Sequence, residues 1–148
     1  MLKDLNILIV DDHPLLIDAY INLLNYTIEN HNLNFLKSNN AKDAYNIIKY
    51  NYLNNKKIDL AIFDINIPSY KEESIFDGCD LALKFKKLFP YSKTLIVSMH
   101  FEGCVLSKIK KDVKPDAIIN KYDIDYETHP KVIDKDMNGV TYISENMK

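Results

Sequence analysis

Ile7-Leu8-Ile9-Val10-Asp11-Asp12-His13-Pro14 is the stretch whose reading decides the fold. Four consecutive apolar residues read as a buried strand, and two aspartates end it. Pro14 then opens a helix, because the first helical turn needs no N–H at that position. Apolar residues recur at Leu15, Leu16, Ala19, Tyr20, Leu23, Leu24 and Ile28, a helical stripe. The same alternation continues downstream. Strands are expected at Phe35-Leu36, at Ile58–Phe63 running into Asp64, at Thr94–Val97 running into Ser98, and at Ala117–Ile119, followed by Asn120 and Lys121. Between and after them, helices are written by Ala44, Tyr45, Ile47, Ile48 and Tyr52, then by Leu81, Ala82, Phe85, Leu88 and Phe89. A fourth helix carries Val105, Leu106, Ile109 and Val113 and ends before Pro115. A last one holds Val132, Ile133 and Met137, with Pro130 early in it and Gly139 as its C-cap.

Strands alternating with helices predict βαβ units and a parallel sheet. In such a sheet, ligands sit outside the carboxyl ends of the strands. Asp11, Asp12, Asp64, Ser98 and Lys121 therefore converge on one edge, whereas Phe35-Leu36 ends on no obvious chemical group.

With 148 residues and no internal repeat, the chain suits one domain. A net charge of −2 leaves no basic field for nonspecific nucleic-acid binding. Cys79 and Cys104 lie far apart and read as small buried hydrophobes in a reducing cytosol. His31 and His129 read as surface residues, and no His/Cys spacing suggests zinc. The sequence shows neither a membrane-length apolar run nor a signal peptide, so a cytoplasmic location is expected.

Three clustered carboxylates need compensation. Two unit charges about 4 Å apart repel by about 1 kcal/mol in water and about 4 at an effective dielectric of 20. The cluster should recruit a cation or raise a pKa. Oxygen ligands suit a hard divalent ion such as Mg2+, and Lys121 brings a second positive charge. Such a pocket is arranged for phosphoryl transfer to a carboxylate, with Asp64 as nucleophile. The cation and Lys121 would neutralise the phosphoryl oxygens, and Ser98 would donate a hydrogen bond to one of them.

Asp-Asp after the first strand, Asp after the third, Ser after the fourth and Lys after the fifth resemble the receiver domain of two-component response regulators. The resemblance covers roughly residues 5 to 143. It implies an α/β, flavodoxin-like, doubly wound five-stranded parallel sheet of order 2-1-3-4-5, with helices on both faces. It implies phosphorylation of Asp64 by a histidine kinase, with Mg2+ held by Asp11, Asp12, Asp64 and the main-chain carbonyl of Asn66. Ser98 is then the switch hydroxyl and Lys121 the phosphate-contacting lysine. The chain would be a signalling switch rather than an enzyme, catalysing only its own phosphorylation and dephosphorylation. A phosphohydrolase of the haloacid-dehalogenase type needs Asp-x-Asp after the first strand, where this chain has adjacent Asp11-Asp12. A receiver-shaped module that is never phosphorylated fits poorly with a complete pocket.

Asp11-Asp12-His13-Pro14-Leu15-Leu16 and Asn138-Gly139-Val140-Thr141-Tyr142-Ile143-Ser144 look like the NarL/FixJ-type subfamily, whose receivers precede a LuxR-type helix-turn-helix. The expectation is a receiver over 1–143, with 144–148 the start of a linker or a C-terminal tail. The receiver half of a longer transcription regulator is the preferred reading, and a free-standing receiver is the other. Expected partners are a histidine kinase, a second copy on activation, and DNA only through a helix-turn-helix absent from this chain.

The sequence also departs from the family pattern. Asp77-Gly78 follows Pro68 late, after Ser69–Phe76, either as a tolerated surface insertion or as a loop that selects partners or gates the site. Ile118 stands three before Lys121, where an aromatic often rotates on activation, so no ring flip there carries the switch. Tyr122 replaces the usual proline, and Met99 stands where small residues are common and would crowd the pocket. His100 reads as an exposed loop residue and His13 as a structural part of the first turn.

Overall fold

The computed structural model describes residues 2–99, 107, 109–121 and 142–143. Along the chain run β1 (Lys3–Val10), α1 (Pro14–Thr27), β2 (His31–Ser38), α2 (Ala41–Leu53), β3 (Leu60–Asp64), α3 (Gly78–Leu88), β4 (Lys93–Ser98), β5 (Ala117–Asn120) and β6 (Tyr142–Ile143). A short 3-10 turn spans Lys71–Glu73, and a single wide helical turn spans Ile109–Val113. That turn ends where Lys114 N–H donates to the Ile109 carbonyl at 2.9 Å, just before Pro115.

All strand pairs are parallel, in the order β2-β1-β3-β4-β5-β6. The first five strands follow the expected 2-1-3-4-5 order of a flavodoxin-like sheet. The order reverses at β1, so the crevice between β1 and β3 is the switch point where ligands bind in such sheets. The sixth strand departs from expectation. Tyr142 and Ile143, in the segment that resembles a receiver–linker join, pair with Ala117 and Ile118 and add a strand to the five expected. The open edge of β5 offers unpaired backbone groups, and a β-branched and aromatic segment suits them.

The apolar runs are buried on both faces, as a parallel sheet requires. Leu8, Val10, Phe63, Ile96 and Ile118 form one core with Ala44 and Ile48 of α2 and Leu81 and Phe85 of α3. Phe63 and Phe85 meet edge to face at 5.6 Å. Ile7, Ile9, Ile62, Val97 and Ile119 form the other core with Ile17, Tyr20 and Leu24 of α1.

Three expectations are corrected. Leu15 is 83% exposed and Ala19 is exposed, because α1 turns Ile17, Tyr20 and Leu24 to the sheet instead. Cys79 is half-buried near the start of α3 rather than in the core. β2 is a full eight-residue strand, since Lys3–Val10 supplies a partner for every residue from His31 to Ser38. The fourth-helix residues Val105 and Leu106, the last helix with Pro130, Val132, Ile133 and Met137, the motif residues Asn138–Thr141 and Ser144, the tail 145–148, and His100, Cys104, Tyr122 and His129 lie outside the described residues. Among the described residues, no helix is long and apolar enough to cross a membrane.

Candidate functional site

β1 and β3 carry their aspartates to the switch point by register. Val10 lies opposite Phe63, so Asp11 and Asp64 leave neighbouring strand ends together. Val97 lies opposite Asp64 and Ser98 opposite Asn120, which sets Ser98 and Lys121 along the same edge. Asp11, Asp64, Ser98 and Lys121 are all buried, whereas Asp12 is 39% exposed at the rim.

Lys121 holds the floor of the pocket. Its Nζ lies 3.0 Å from Asp11 Oδ2 and 3.0 Å from Asp64 Oδ2. Backbone donors orient the other carboxylate oxygens. His13 N–H donates to Asp11 Oδ1 at 2.9 Å, and Asn66 N–H donates to Asp64 Oδ1 at 3.3 Å. Burial raises the Asp64 carboxyl from 3.8 to about 6, with the Asp11 charge adding to the rise. The Lys121 hydrogen bond and charge and the Asn66 N–H oppose that rise. The buried Tyr20 phenol beneath is pushed well above its ordinary value by desolvation and by Asp11 and Asp64, so it stays neutral.

His13 belongs to the cluster, whereas the sequence predicts for it only a structural part of the first turn. Its Nδ1 lies 3.1 Å from Asp11 Oδ1 and 3.0 Å from Asp12 Oδ1. One ligand atom each from Asp11, Asp12, His13 and Asp64 falls within 4.8 Å of the others. The usable signal was its position between the acidic pair and Pro14, where the chain turns into α1. Three carboxylates against one ammonium leave the pocket short of positive charge, and a divalent cation fits that donor set.

The segment after Pro68 is folded, not a loose loop. Tyr70 and Ile75 exchange backbone hydrogen bonds at 2.7 and 3.1 Å around the Lys71–Glu73 turn. Ser74 closes the turn in the left-handed region at φ 57°. Ile75 is fully buried, and the Tyr70 ring meets Tyr45 of α2 edge to face at 6.3 Å. This small hairpin delivers Asp77-Gly78 to the site despite the insertion. Asp77 caps α3 by accepting the Asp80 N–H at 3.0 Å. Gly78 lies so close to β3 that a Cβ would stand 1.9 Å from the Asp64 carbonyl oxygen. Glycine is required there by contact, not by a strained φ.

Ile118 is buried in the α2–α3 core, and Met99 is 38% exposed.

No protein-family model matches the sequence, and no curated protein matches it significantly. Solved structures do. A CheY-like response regulator receiver domain protein from Methanospirillum hungatei JF-1 is 25% identical over 93% of this chain and 95% of its own, with a TM-score of 0.70. The isolated REC domain of RcsB from Salmonella enterica serovar Typhimurium, solved with the phosphomimetic BeF3-, gives 0.77 at 21% identity over 98% of this chain and 96% of that one. RcsB dimers bound to two parallel DNAs give 0.76 at 22% identity over 98% of this chain, which spans 66% of that longer chain. In fold and in the acidic pocket at its switch point, the chain is similar to CheY-like response regulator receiver domains.

Proposed function

We propose that Asp64 accepts a phosphoryl group from a phosphohistidine of a histidine kinase, with Mg2+, and that the modified chain drives a transcriptional output. One observation carries the reading: a buried lysine is shared equally by the candidate nucleophile and a neighbouring carboxylate, 3.0 Å from each. Such an ammonium is already placed for an anion added to Asp64.

An Asp64 carboxylate oxygen attacks phosphorus, the donor's P–N bond breaks, and the imidazole leaves with that electron pair. Asp64 reacts in its ionised form, which prevails above about pH 6. Asp11, Asp12, Asp64 and the Asn66 carbonyl would hold Mg2+, which supplies charge neutralisation at the phosphoryl oxygens. Lys121 transfers its contact from the carboxylates to one of those oxygens, and Ser98 donates its hydroxyl to another. The chain acts as a switch and turns over only its own phosphoryl group. Phosphorylation shifts an existing equilibrium between surface states.

The subfamily resemblance of Asp11–Leu16 supports a LuxR-type regulator acting in the cytoplasm. The likeness to RcsB, solved as DNA-bound dimers, supports dimerisation and DNA contact through a further domain. Incubation with acetyl phosphate and Mg2+ should add one phosphoryl group, read by intact mass. Chelation should prevent it, and Asp64→Asn should stay unmodified. Equal modification of that variant refutes the assignment.

A further inference from the structure

We propose that His13 is a metal ligand of this pocket, and that its imidazole tilts the site from Mg2+ toward first-row transition ions such as Mn2+ or Co2+. The inference rests on the metal site of the proposed function and adds to it a nitrogen donor and a selectivity.

The spacing carries the argument. His13 Nδ1 stands 3.1 Å from Asp11 Oδ1 and 3.0 Å from Asp12 Oδ1. Adjacent ligands on an octahedron with bonds of about 2.1 Å lie about 3.0 Å apart, so these contacts have the length of ligand–ligand edges. The remaining oxygens are divided in a compatible way. Lys121 takes Oδ2 of both Asp11 and Asp64, which leaves Oδ1 of Asp11 beside His13. The backbone N–H of His13 also donates to Asp11 Oδ1, so one tight turn fixes carboxylate and ring together. Asp12 and His13 are 39% and 55% exposed, so an ion reaches them from solvent.

The chemistry then sets the preference. With its proton on Nε2, the ring presents an Nδ1 lone pair. Mg2+ favours oxygen and water, whereas imidazole suits later first-row ions, whose affinities rise along the series from Mn2+. A set of three carboxylates and one imidazole therefore discriminates where an all-oxygen set discriminates less.

His13→Ala tests this without threatening the fold, because the His13 side chain makes no capping bond to α1. The whole chain and the variant are titrated separately with Co2+ and Mg2+ by calorimetry. The ratio of Co2+ to Mg2+ affinity should fall roughly tenfold or more in the variant. The Co2+ form of the unaltered chain should show a paramagnetically shifted imidazole resonance that the variant lacks. An unchanged ratio, or no shifted resonance, overturns the inference and leaves phosphorylation of Asp64 intact. Conversely, a falling ratio in a chain whose Asp64 takes no phosphoryl group overturns the function and leaves His13 as a ligand.

Discussion

The two ends of the sheet carry the same kinds of residue in different solvent. At the carboxyl end, Lys121 and two aspartates are buried, with both ion pairs at 3.0 Å. At the amino end, Lys57 and Asp59 pair at 3.3 Å, with the lysine 71% exposed. Asp59 is spent on structure: its Oδ2 accepts the Asn6 N–H at 2.8 Å, and its own N–H donates to the Asn6 carbonyl at 2.8 Å. That carboxylate clips the start of β3 to β1. Water screens the exposed Lys57 ammonium, so its pairing with the half-buried Asp59 carboxylate is worth little. At the carboxyl end, burial leaves two carboxylates competing for one ammonium, a shortage of positive charge that a bound cation would relieve.

The sharpest way to break the comparison is to remove the buried cation. Lys121→Met strands Asp11 and Asp64, and should cost about 3–5 kcal/mol at neutral pH, measured by urea denaturation. The loss should shrink at pH 5, where a stranded carboxyl takes up a proton. A loss under about 1 kcal/mol would put the pair in the surface class and erase the contrast.

The next effects come from the hairpin that brings α3 to the pocket. Ile75→Ala empties a fully buried position and should cost about 2–5 kcal/mol. Gly78→Ala forces a methyl against the Asp64 carbonyl and should cost about 1–3 kcal/mol. The two differ in a second readout. Gly78→Ala should also slow Asp64 phosphorylation, because relief requires that backbone to move, whereas Ile75→Ala should act mainly on stability.

How far the sequence reached follows the same divide. Strand ends were legible because buried parallel strands are continuous apolar runs, and the residue after each run is fixed on the functional edge. Asp11, Asp64, Ser98 and Lys121 could be placed together on that ground alone. β2 was half-legible, since polar residues at His31, Asn32 and Asn34 hide a strand formed by pairing along β1. Helix faces were less secure: Leu15 and Ala19 fit the stripe yet face solvent, because periodicity does not fix rotation about the axis. The hairpin was illegible for another reason. Ser69–Phe76 has no period, and it is ordered by Tyr70 on Tyr45 and by a buried Ile75, contacts distant in sequence. The place of His13 in the acidic cluster was illegible because its contacts with Asp11 and Asp12 depend on how the chain turns into α1.

Acidity sharpens the comparison further. The folded chain holds the Asp64 proton up to about pH 6, against an ordinary value of 3.8. Between those values the native state binds more protons than the unfolded state, so this group's contribution to stability falls as pH rises through that window. Denaturant midpoints taken across it should show that slope, and Asp64→Asn should remove it. Saturating Mg2+ should move the window to lower pH, because a bound cation favours the carboxylate. A slope of opposite sign would mean that Lys121 outweighs burial at Asp64.

The smallest effect is the control at the amino end. Lys57→Met removes an exposed ammonium from Asp59, a carboxylate that keeps its hydrogen bond from the Asn6 backbone N–H. Stability should change by about 0.2–1 kcal/mol, and less in high salt, which already screens the pair. Phosphorylation of Asp64 should not change, because the substitution lies at the opposite end of β3. A loss as large as that for Lys121→Met would show that position in the sheet, rather than burial of the charges, sets what an ion pair is worth here. An unaltered rate with a small, salt-sensitive loss would leave burial as the variable that separates a structural clip from a responsive site.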